Sequence, residues 1–335
     1  MDPVTHALTS IALGRTGLNK VTRVATPMLL VSGLIADADW ITRLGGASAF
    51  LHGHRTSTHS LIGTATIAAC VAAFFWLAGR KYPQWAVEIG SAFVICAIGA
   101  ATHLLLDLLN ADGIKLLWPF SANWYAWDIA DSVDGILIFI LLAGLLLPEL
   151  FRIIHEEIGA KSKQRGRQSG ATAGLVLVGL FVVGRAYAHQ RALALLDSRV
   201  YRTQAPLLVG AFPDSSNPLA WHGVVETDNG VSNLEVPLGP GRTFDPDLAD
   251  VHFKPQTSPE LTNAGASSTA VEFIKYARFP LASVEPNGAG FEVRFRDMRL
   301  ASAISGRQGI VAVIELNAQA QVISERLEFA GESKP

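Results

Sequence analysis

The N-terminal half of this chain is apolar, yet it contains seven histidine and aspartate side chains that could do chemistry. They are His6, Asp37, Asp39, His54, His59, His103 and Asp107. Ionisable groups in or beside membrane-length apolar runs are costly, so their default interpretation is a functional site. Imidazole and carboxylate together form a ligand set suited to zinc or a similar divalent metal. The sequence therefore predicts a site for one or two such ions.

Two short spacings among these residues favour shared ligation. His103 and Asp107 stand four residues apart on a strongly predicted helix, so both side chains project from one face. His54 and His59 lie in a loop that enters the next helix, where irregular backbone lets ligands converge. A helix-end ion pair and a solvated polar loop are the respective structural alternatives.

Asp37 and Asp39 are two residues apart, so on a regular helix they diverge by about 200° and only one would face a given site. If the helix ends there, both can reach it. We favour Asp39 as the metal ligand because it lies nearer the end, and Asp37 as the carboxylate that accepts a proton. A helix-end carboxylate in water is the alternative for either residue.

Arg55 lies between the two loop histidines, where its charge would repel the cation of a simple metal cage. Beside an anionic substrate such as a phosphate it makes sense, because a guanidinium can bind two oxygens. We therefore predict that Arg55 steadies an anionic substrate.

His6 is isolated on a short segment, Pro3 to Leu13, which is too short and polar for a confident span. A packed histidine with satisfied hydrogen bonds is as good an interpretation as a metal ligand. Asp2 followed by Pro3 fits the N-cap and first position of a helix, which gives Asp2 a structural role.

Composition indicates a multi-pass membrane protein with a soluble appendage. Half of the 335 residues are hydrophobic, 17% are charged and the mean hydropathy is +0.31. Four stretches are long and apolar enough to span a bilayer, and a fifth ends at the two aspartates. They are Leu61 to Ala78, Val87 to Leu109, Val133 to Phe151, Ala171 to Ala188, and Val24 to Trp40. Residues 1–189 are thus predicted as an α-helical bundle of about five spans plus a short N-terminal helix.

Loop charges predict the orientation, since short loops rich in Lys and Arg stay in the cytoplasm. Three basic loops contain Arg15 to Arg23, Arg80 with Lys81, and Arg152 to Arg167, the last including Lys161 and Lys163. With these loops inside, the spans alternate and all seven candidate residues converge on the outer face. Residues 190–335 are then extracytoplasmic.

Residues 190–335 are rich in Pro, Gly, Asn and Ser. Hairpin signals such as Asp228-Asn229-Gly230 and Asn287-Gly288 between alternating runs predict a β-rich soluble domain, whose partner the sequence does not indicate. The net charge of −2 and the lack of a basic cluster give no electrostatic footprint for nucleic acid.

The predicted outer loop, Asn110 to Ser132, is rich in aromatic residues. Aromatic side chains at this depth usually form an interfacial belt. The same loop could instead form a wall over the metal site and hold an acyl chain. Three nearby carboxylates are further candidate ligands or bases: Asp128, Asp131 and Asp134.

Taken in order, four short motifs resemble the YdjM-type family of bacterial membrane-bound metal-dependent hydrolases, over about the first 150 residues. The motifs are Asp2-Pro-x-x-Thr-His6, Ala36-Asp37-Ala-Asp39, His54-Arg55-x-x-Thr-His59-Ser60 and His103-x-x-x-Asp107. The last motif, preceded by upstream Asp and His, is also similar to the ligand order of zinc-dependent phospholipases C. That similarity implies ligation by His6, Asp39 or Asp37, His59, His103 and Asp107.

We therefore expect an integral hydrolase of the bacterial inner membrane, with its site at the outer interface. Water activated by the metal would attack an ester or phosphoester of a small-molecule or lipid substrate. Two other classes stay open. A transporter or metal-handling protein would hold its site near the midplane on interrupted helices. A non-catalytic scaffold would use the metal to fix the bundle and the β-rich domain to bind an envelope partner.

Overall fold

The computed structural model describes residues 1–157, 165–300 and 309–331, so Lys161 and Lys163 of the third basic loop lie outside the described residues. The chain forms two compact units. The first comprises Met1–Trp40 and Gly53–Tyr187, and the second comprises Ile41–His52 and Ala188–Pro335. The long segment of the second unit begins within two residues of the predicted domain boundary. The grouping of Ile41–His52 with it has no counterpart in the sequence pattern.

Helices make up the first unit. They are α1 (Pro3–Arg15), α2 (Ala25–Leu34), α4 (Leu61–Lys81), α5 (Ile89–Leu108), α6 (Gly135–Glu157) and most of α7 (Arg165–Asp197), while α3 (Gly46–Gly53) falls almost wholly in the second unit. Short 3-10 segments cover Leu18–Lys20, Ile35–Gly45 and Pro83–Trp85.

Among the described helices, four are long and apolar enough to cross a membrane by length and composition. They are Leu61–Lys81, Ile89–Leu108, Gly135–Ile154 and Gly166–Asp197. These helices confirm four of the predicted spans. The fifth predicted stretch, Val24 to Trp40, folds as the ten-residue α2 followed by the 3-10 segment. A ten-residue helix is only about 15 Å long, roughly half of the hydrocarbon thickness.

Close packing brings α1, α2 and α5 together. A side chain at Gly99 of α5 would meet Ser32 Oγ at 2.3 Å, and one at Gly33 of α2 would meet Ser10 Oγ at 2.6 Å. Apolar side chains of α2, α4 and α5 complete this core, including Met28, Leu29, Phe75 and Ile95. The ends of these helices are thereby fixed relative to one another.

Local hydrogen bonds define two helix starts that matter for the site. Asp2 caps α1 by accepting from the Thr5 N–H at 2.9 Å, with Pro3 at the first helical position, as predicted. Ser60 caps α4 by accepting from the Gly63 N–H at 3.0 Å. A Cβ at Gly63 would lie 1.9 Å from the Ser57 carbonyl oxygen, so only glycine lets the preceding loop pack against the start of α4.

The C-terminal part of the second unit contains two four-stranded antiparallel sheets, which confirms the predicted β-rich fold. The first sheet is β1 (Leu208–Pro213), β2 (Ala220–Glu226), β3 (Gly230–Pro237) and β4 (Asp250–Phe253). The second is β5 (Pro280–Asn287), β6 (Gly290–Asp297), β7 (Ile310–Leu316) and β8 (Val322–Phe329). Strands follow chain order in both sheets, and both predicted hairpin turns are present, between β2 and β3 and between β5 and β6. Two short helices, α8 (Pro259–Gly265) and α9 (Ser268–Tyr276), pack on the second sheet.

Within the second unit, the segment Ile41–His52 contacts the second sheet and α9. The Arg43 guanidinium lies 4.0 Å from the ring centroid of Phe329. His52 Nε2 lies 2.8 Å from Glu272 Oε1. His52 is therefore engaged in an ion pair on the surface of this unit.

Candidate metal centre

The side chains of the candidate centre come from four segments whose ends meet in the helical unit. His6 lies in α1, Asp37 in the 3-10 segment after α2, and His59 two residues before α4, whereas His103 and Asp107 lie near the end of α5. The three imidazoles and Asp107 are each at most 3% exposed. Residues far apart in the chain thus share one buried volume.

Four donor atoms in this volume are spaced as the ligands of a single ion would be. His59 Nε2 lies 2.9 Å from Asp107 Oδ2 and 3.1 Å from His103 Nε2. His103 Nε2 lies 3.4 Å from Asp107 Oδ2, and Asp37 Oδ1 lies 3.7 Å from Nε2 of both histidines. Ligands of a tetrahedral zinc at about 2.0–2.1 Å would be roughly 3.3 Å apart. The observed separations bracket that value.

His6 extends the cluster on the other side of Asp107. Its Nε2 lies 3.4 Å from Asp107 Oδ1, and its ring stacks on that of His103 with centroids 4.0 Å apart. His6, Asp37, His103 and Asp107 each offer one donor atom within 4.8 Å of the others. The His/Asp cluster could therefore hold a metal ion.

The second nitrogen of two imidazoles is held by an oxygen behind it. His103 Nδ1 lies 2.9 Å from the Gly33 carbonyl oxygen, and His59 Nδ1 lies 3.1 Å from Asp39 Oδ2. Such acceptors fix the tautomer with the proton on Nδ1, as is usual for metal-binding histidines. The Nε2 lone pairs then face each other and the Asp107 carboxylate. A cation bound between the Nε2 atoms and the Asp107 carboxylate would be ligated by these mutually repelling groups.

Asp39 lies behind His59 and holds the loop. Its Oδ2 accepts from the Arg55 N–H at 2.9 Å and from Thr58 Oγ1 at 2.5 Å, and its Oδ1 lies 2.7 Å from His54 Nδ1. The His54 ring is 6.1 Å from that of His59. The structure thus brings five predicted residues into the cluster and places Asp39 and His54 outside it.

Electrostatics in the cluster favour bound positive charge. Burial alone would lower the pKa of His59, but the three carboxylates around it, foremost that of Asp107, prevail and raise that pKa to about 10. A proton on His59 and a metal ion are alternative ways to neutralise the same carboxylates. The pocket is therefore built to stabilise a cation.

Several buried polar atoms here have no hydrogen-bond partner among the residues that the structure describes. They are both ring nitrogens of His6, Asp37 Oδ2, Asp107 Oδ2, and Nε and Nη1 of Arg55. Buried polar atoms are almost always paired in folded proteins, because leaving them unpaired is costly. A metal ion would satisfy the histidine and aspartate atoms of this set, so the donor set fits a metal centre.

Both the N–H and the carbonyl group of Arg55 are hydrogen-bonded, which fixes its backbone. It adopts a left-handed φ of 56°, and its carbonyl oxygen accepts from the Lys115 N–H at 3.0 Å. Its buried guanidinium lies 3.7 Å from Asp107 Oδ1 and 3.6 Å from Asp112 Oδ2. Asp112 was not predicted as part of the site, because the stretch Asn110-Ala-Asp-Gly has only the character of a turn.

Two of the further candidate carboxylates are used locally. Asp134 Oδ1 accepts from the N–H groups of Ile136 and Leu137 at the start of α6, and Asp131 Oδ1 accepts from that of Ser132. Asp128 is buried in a left-handed conformation. These contacts give Asp134 and Asp131 a role in shaping the loop.

The fold and the site define a class: a helical membrane protein with a buried His/Asp cluster at the ends of its helices. The model of the YdjM inner membrane protein family matches residues 1–192, which is more than half of the chain. The chain belongs to this family, as the sequence motifs predicted. The family and the four apolar helices support a location in the inner membrane.

A curated relative adds similarity without a function. The chain is similar to the uncharacterized protein YfhP of Bacillus subtilis (strain 168), with 24% identity over 155 residues. The match covers 44% of this chain and 46% of that protein, so the chain spans about half the length of the curated relative it matches. No solved structure matches the chain.

Proposed function

We propose that this protein is an integral membrane hydrolase that uses one or two divalent metal ions, with zinc as the favoured ion, to cleave an ester or phosphoester. The observation that supports it most is the set of Nε2 and carboxylate oxygen atoms that face one another at 2.9–3.7 Å. Mixed nitrogen and oxygen donors at this spacing are what zinc prefers. The location of this protein in the inner membrane would put such a centre next to membrane-bound substrates.

The geometry suggests a role for each residue. The proposed ligands are His6, Asp37, His59, His103 and Asp107. Asp39, which the sequence favoured as a ligand, is better suited to orient His59, because its oxygens are engaged by the loop and by His54. His54 then has an indirect role, through its contact with Asp39.

The catalytic steps assigned to the chain's own groups are anion binding and proton transfer. When bound, a divalent ion supplies Lewis-acid activation of water and of the ester. Arg55 holds the anionic oxygens of the substrate and stabilises the charge that develops on them. Asp37 accepts the proton of the attacking water on Oδ2, which has no hydrogen-bond partner among the described residues.

The positions of the donors along the helices favour this function over transport. Asp107 is the residue before the last of α5, and His59 precedes the first residue of α4 by two positions. Transport sites are expected near the membrane midplane on interrupted helices. A site at helix ends is suited to a substrate that arrives at the interface.

We also propose that residues 190–335 face the extracytoplasmic side, from the distribution of basic loops. A cysteine introduced at the exposed Ser216 should react with a membrane-impermeant maleimide in intact spheroplasts. Labelling only after lysis would reverse the orientation and place the metal centre on the cytoplasmic side.

The test of the hydrolase proposal is metal analysis of the detergent-purified protein, coupled to a screen of phosphoesters and carboxyl esters. We expect at least one equivalent of metal and turnover of one substrate class, both lost in His59→Ala. His252→Ala, on β4 of the second unit, is the matched control and should retain both. Stoichiometric metal without any turnover would favour the scaffold, and metal that is unaffected by His59→Ala would refute the centre.

A further inference from the structure

A loop that projects beside Arg55 carries exposed apolar side chains. We call residues 115–125 the apolar loop; its base is closed by two hydrogen bonds between the backbones of Ile114 and Tyr125, at 3.0 and 2.9 Å. Leu117, Trp118 and Phe120 are exposed on it, and Phe120 is 86% exposed. Large apolar side chains presented together to the surroundings mark a contact with lipid or with another apolar partner.

The apolar loop is hydrogen-bonded to the start of one membrane-length helix, and residues that follow the loop in the chain contact the ends of two more. The Leu61 N–H at the start of α4 donates to the Leu116 carbonyl at 3.0 Å. The Trp127 N–H donates to the Leu108 carbonyl at the end of α5 at 2.7 Å, and Asp134 caps the start of α6. The ends of membrane-length helices are expected at the level of the lipid headgroups, where tryptophan side chains concentrate.

The same loop is tied directly to the guanidinium-bearing residue of the site. The Lys115 N–H donates to the Arg55 carbonyl, and the Lys115 ammonium lies 5.0 Å from the ring centroid of Trp124. Arg55 is 7% exposed, and its Nε and Nη1 have no hydrogen-bond partner within the described part of the chain. The positive charge and the two unpaired nitrogens of this guanidinium suit the anionic oxygens of a phosphoryl group, whereas a neutral carboxyl ester carries no charge for the guanidinium to bind.

We infer that the substrate is a lipid phosphoester, whose phosphoryl oxygens bind Arg55 and whose hydrocarbon lies on Leu117, Trp118 and Phe120 of the apolar loop. This inference rests on the proposed function and specifies the substrate class of the same site. Water supplies the oxygen that bonds to phosphorus, and the P–O bond to the lipid alcohol breaks. The leaving oxygen takes the proton that Asp37 received from the water.

An interfacial belt alone would account for the exposed aromatic rings but not for their attachment to the anion-binding residue. A belt serves the whole bundle, so losing two of its side chains should affect all substrates alike. If these side chains instead hold the hydrocarbon of the substrate, losing two of them should affect only those substrates that have a long chain. The two interpretations therefore predict different ratios of the long-chain to the short-chain kcat/KM when these side chains are replaced.

The experiment compares dioleoyl phosphatidate in phosphatidylcholine vesicles with the short-chain dihexanoyl phosphatidate, for wild-type protein and for a Leu117→Ser/Phe120→Ser variant. Burial of one or two large apolar side chains corresponds to roughly ten- to hundredfold in kcat/KM. We expect the wild type to prefer the long chain by at least about tenfold. The variant should lose most of that preference while keeping its metal content and its short-chain rate. Phe253→Ser, an exposed apolar position in the second unit, is the matched control and should keep the preference.

The Arg55→Lys variant distinguishes a loss of phosphate recognition from a loss of the metal centre. Lysine keeps the charge but not the several fixed N–H donors of the guanidinium, so we expect a higher KM for both phosphatidates with unchanged metal content. Equal rates on long and short chains, or an equal loss on both in the loop variant, would overturn the lipid surface. Turnover of carboxyl esters but of neither phosphatidate would overturn the inference and leave the hydrolase standing. No metal-dependent turnover of any ester would refute the proposed function itself.

Discussion

Two buried carboxylates, one in each unit, have contrasting surroundings. Asp297 in the second unit accepts from the backbone N–H groups of Arg278, Phe279 and Arg299 and from Arg299 Nε, all at 3.0–3.3 Å. Asp107 in the helical unit faces three imidazoles, the Arg55 guanidinium and the terminal ammonium of Met1. The first carboxylate is surrounded by adjacent chain segments, and the second by side chains from remote ones.

The difference separates a carboxylate with a structural role from one that we propose as a metal ligand. Asp297 has its hydrogen bonds supplied by the fold, so its role is to close the region between α9 and β6. Asp107 Oδ2 has no hydrogen-bond donor among the described residues, although the residue is fully buried. Burial without such pairing is costly and marks a group that awaits a ligand.

The largest effect should follow removal of a ligand from the cluster. In Asp107→Asn or His103→Ala, we expect metal content to fall below one tenth of the wild-type value and hydrolysis to drop by more than about 100-fold, since even indirect contacts to a metal contribute 10- to 100-fold. Elemental analysis by mass spectrometry measures the first quantity and initial rates the second. Asp297→Asn should leave the metal content unchanged; if it lost metal equally, the contrast between the two carboxylates would fail.

Removing the structural carboxylate should act on stability instead. Asp297→Asn removes the negative charge that Asp297 presents to the buried Arg299 guanidinium, which is 4% exposed. Breaking a buried pair in this way costs about 3–5 kcal/mol. Urea unfolding of the full-length protein in detergent, followed by proteolysis of residues 190–335, reports this loss. A wild-type unfolding midpoint would mean that Asp297 is not a structural anchor.

A smaller effect is expected for the carboxylate that lies behind the cluster. Asp39→Asn removes the charge that orients His59 but none of the five proposed ligands. We expect metal affinity to fall by about 10- to 100-fold, as for other groups that position a ligand. Competition with a chelator measures the affinity, and Asp131→Asn on the same membrane unit serves as the matched control. A loss as complete as in Asp107→Asn would restore Asp39 to the ligand set.

The smallest effect concerns His222 on β2, a buried histidine that belongs to no group of potential metal ligands among the described residues, although both its ring nitrogens lack a hydrogen-bond partner there. Burial lowers its pKa to about 4, below the usual value of 6.5. The unfolded chain therefore binds more protons than the folded one between these values, and stability is present above pH 6.5 and is lost as the pH falls. We expect the second unit to lose about 2 kcal/mol from this group between pH 7 and pH 5.

His222→Leu should remove that part of the pH dependence, and urea unfolding at the two pH values measures it. His252→Ala, at a more exposed position on β4, is the control. An unchanged pH dependence in His222→Leu would show that other groups cause it.

Properties set by local sequence were predictable. Four spans follow from hydropathy alone, and the hairpins of both sheets follow from Asn-Gly turns between alternating runs. The cap of α1 follows from Asp2 and Pro3. Each depends on residues that are neighbours in the chain.

Properties set by distant contacts were not predictable. The stretch around Asp37 and Asp39 is a 3-10 segment, in which residues two apart diverge by about 240°. One aspartate therefore faces the cluster and the other faces away, but which one does so depends on where Thr58 and Arg55 lie. The Asp112 contact with Arg55 and the grouping of Ile41–His52 with the second unit likewise depend on tertiary packing.

X-ray absorption at the edge of the bound metal, on protein purified in mild detergent without added metal, shows whether the buried imidazoles and carboxylates are ligands of a metal ion. We expect a shell of nitrogen and oxygen atoms at about 2.0–2.1 Å with the outer scattering pattern of two or three imidazoles. Absence of a bound metal, or a metal shell without imidazole scattering, would show that these side chains are not metal ligands.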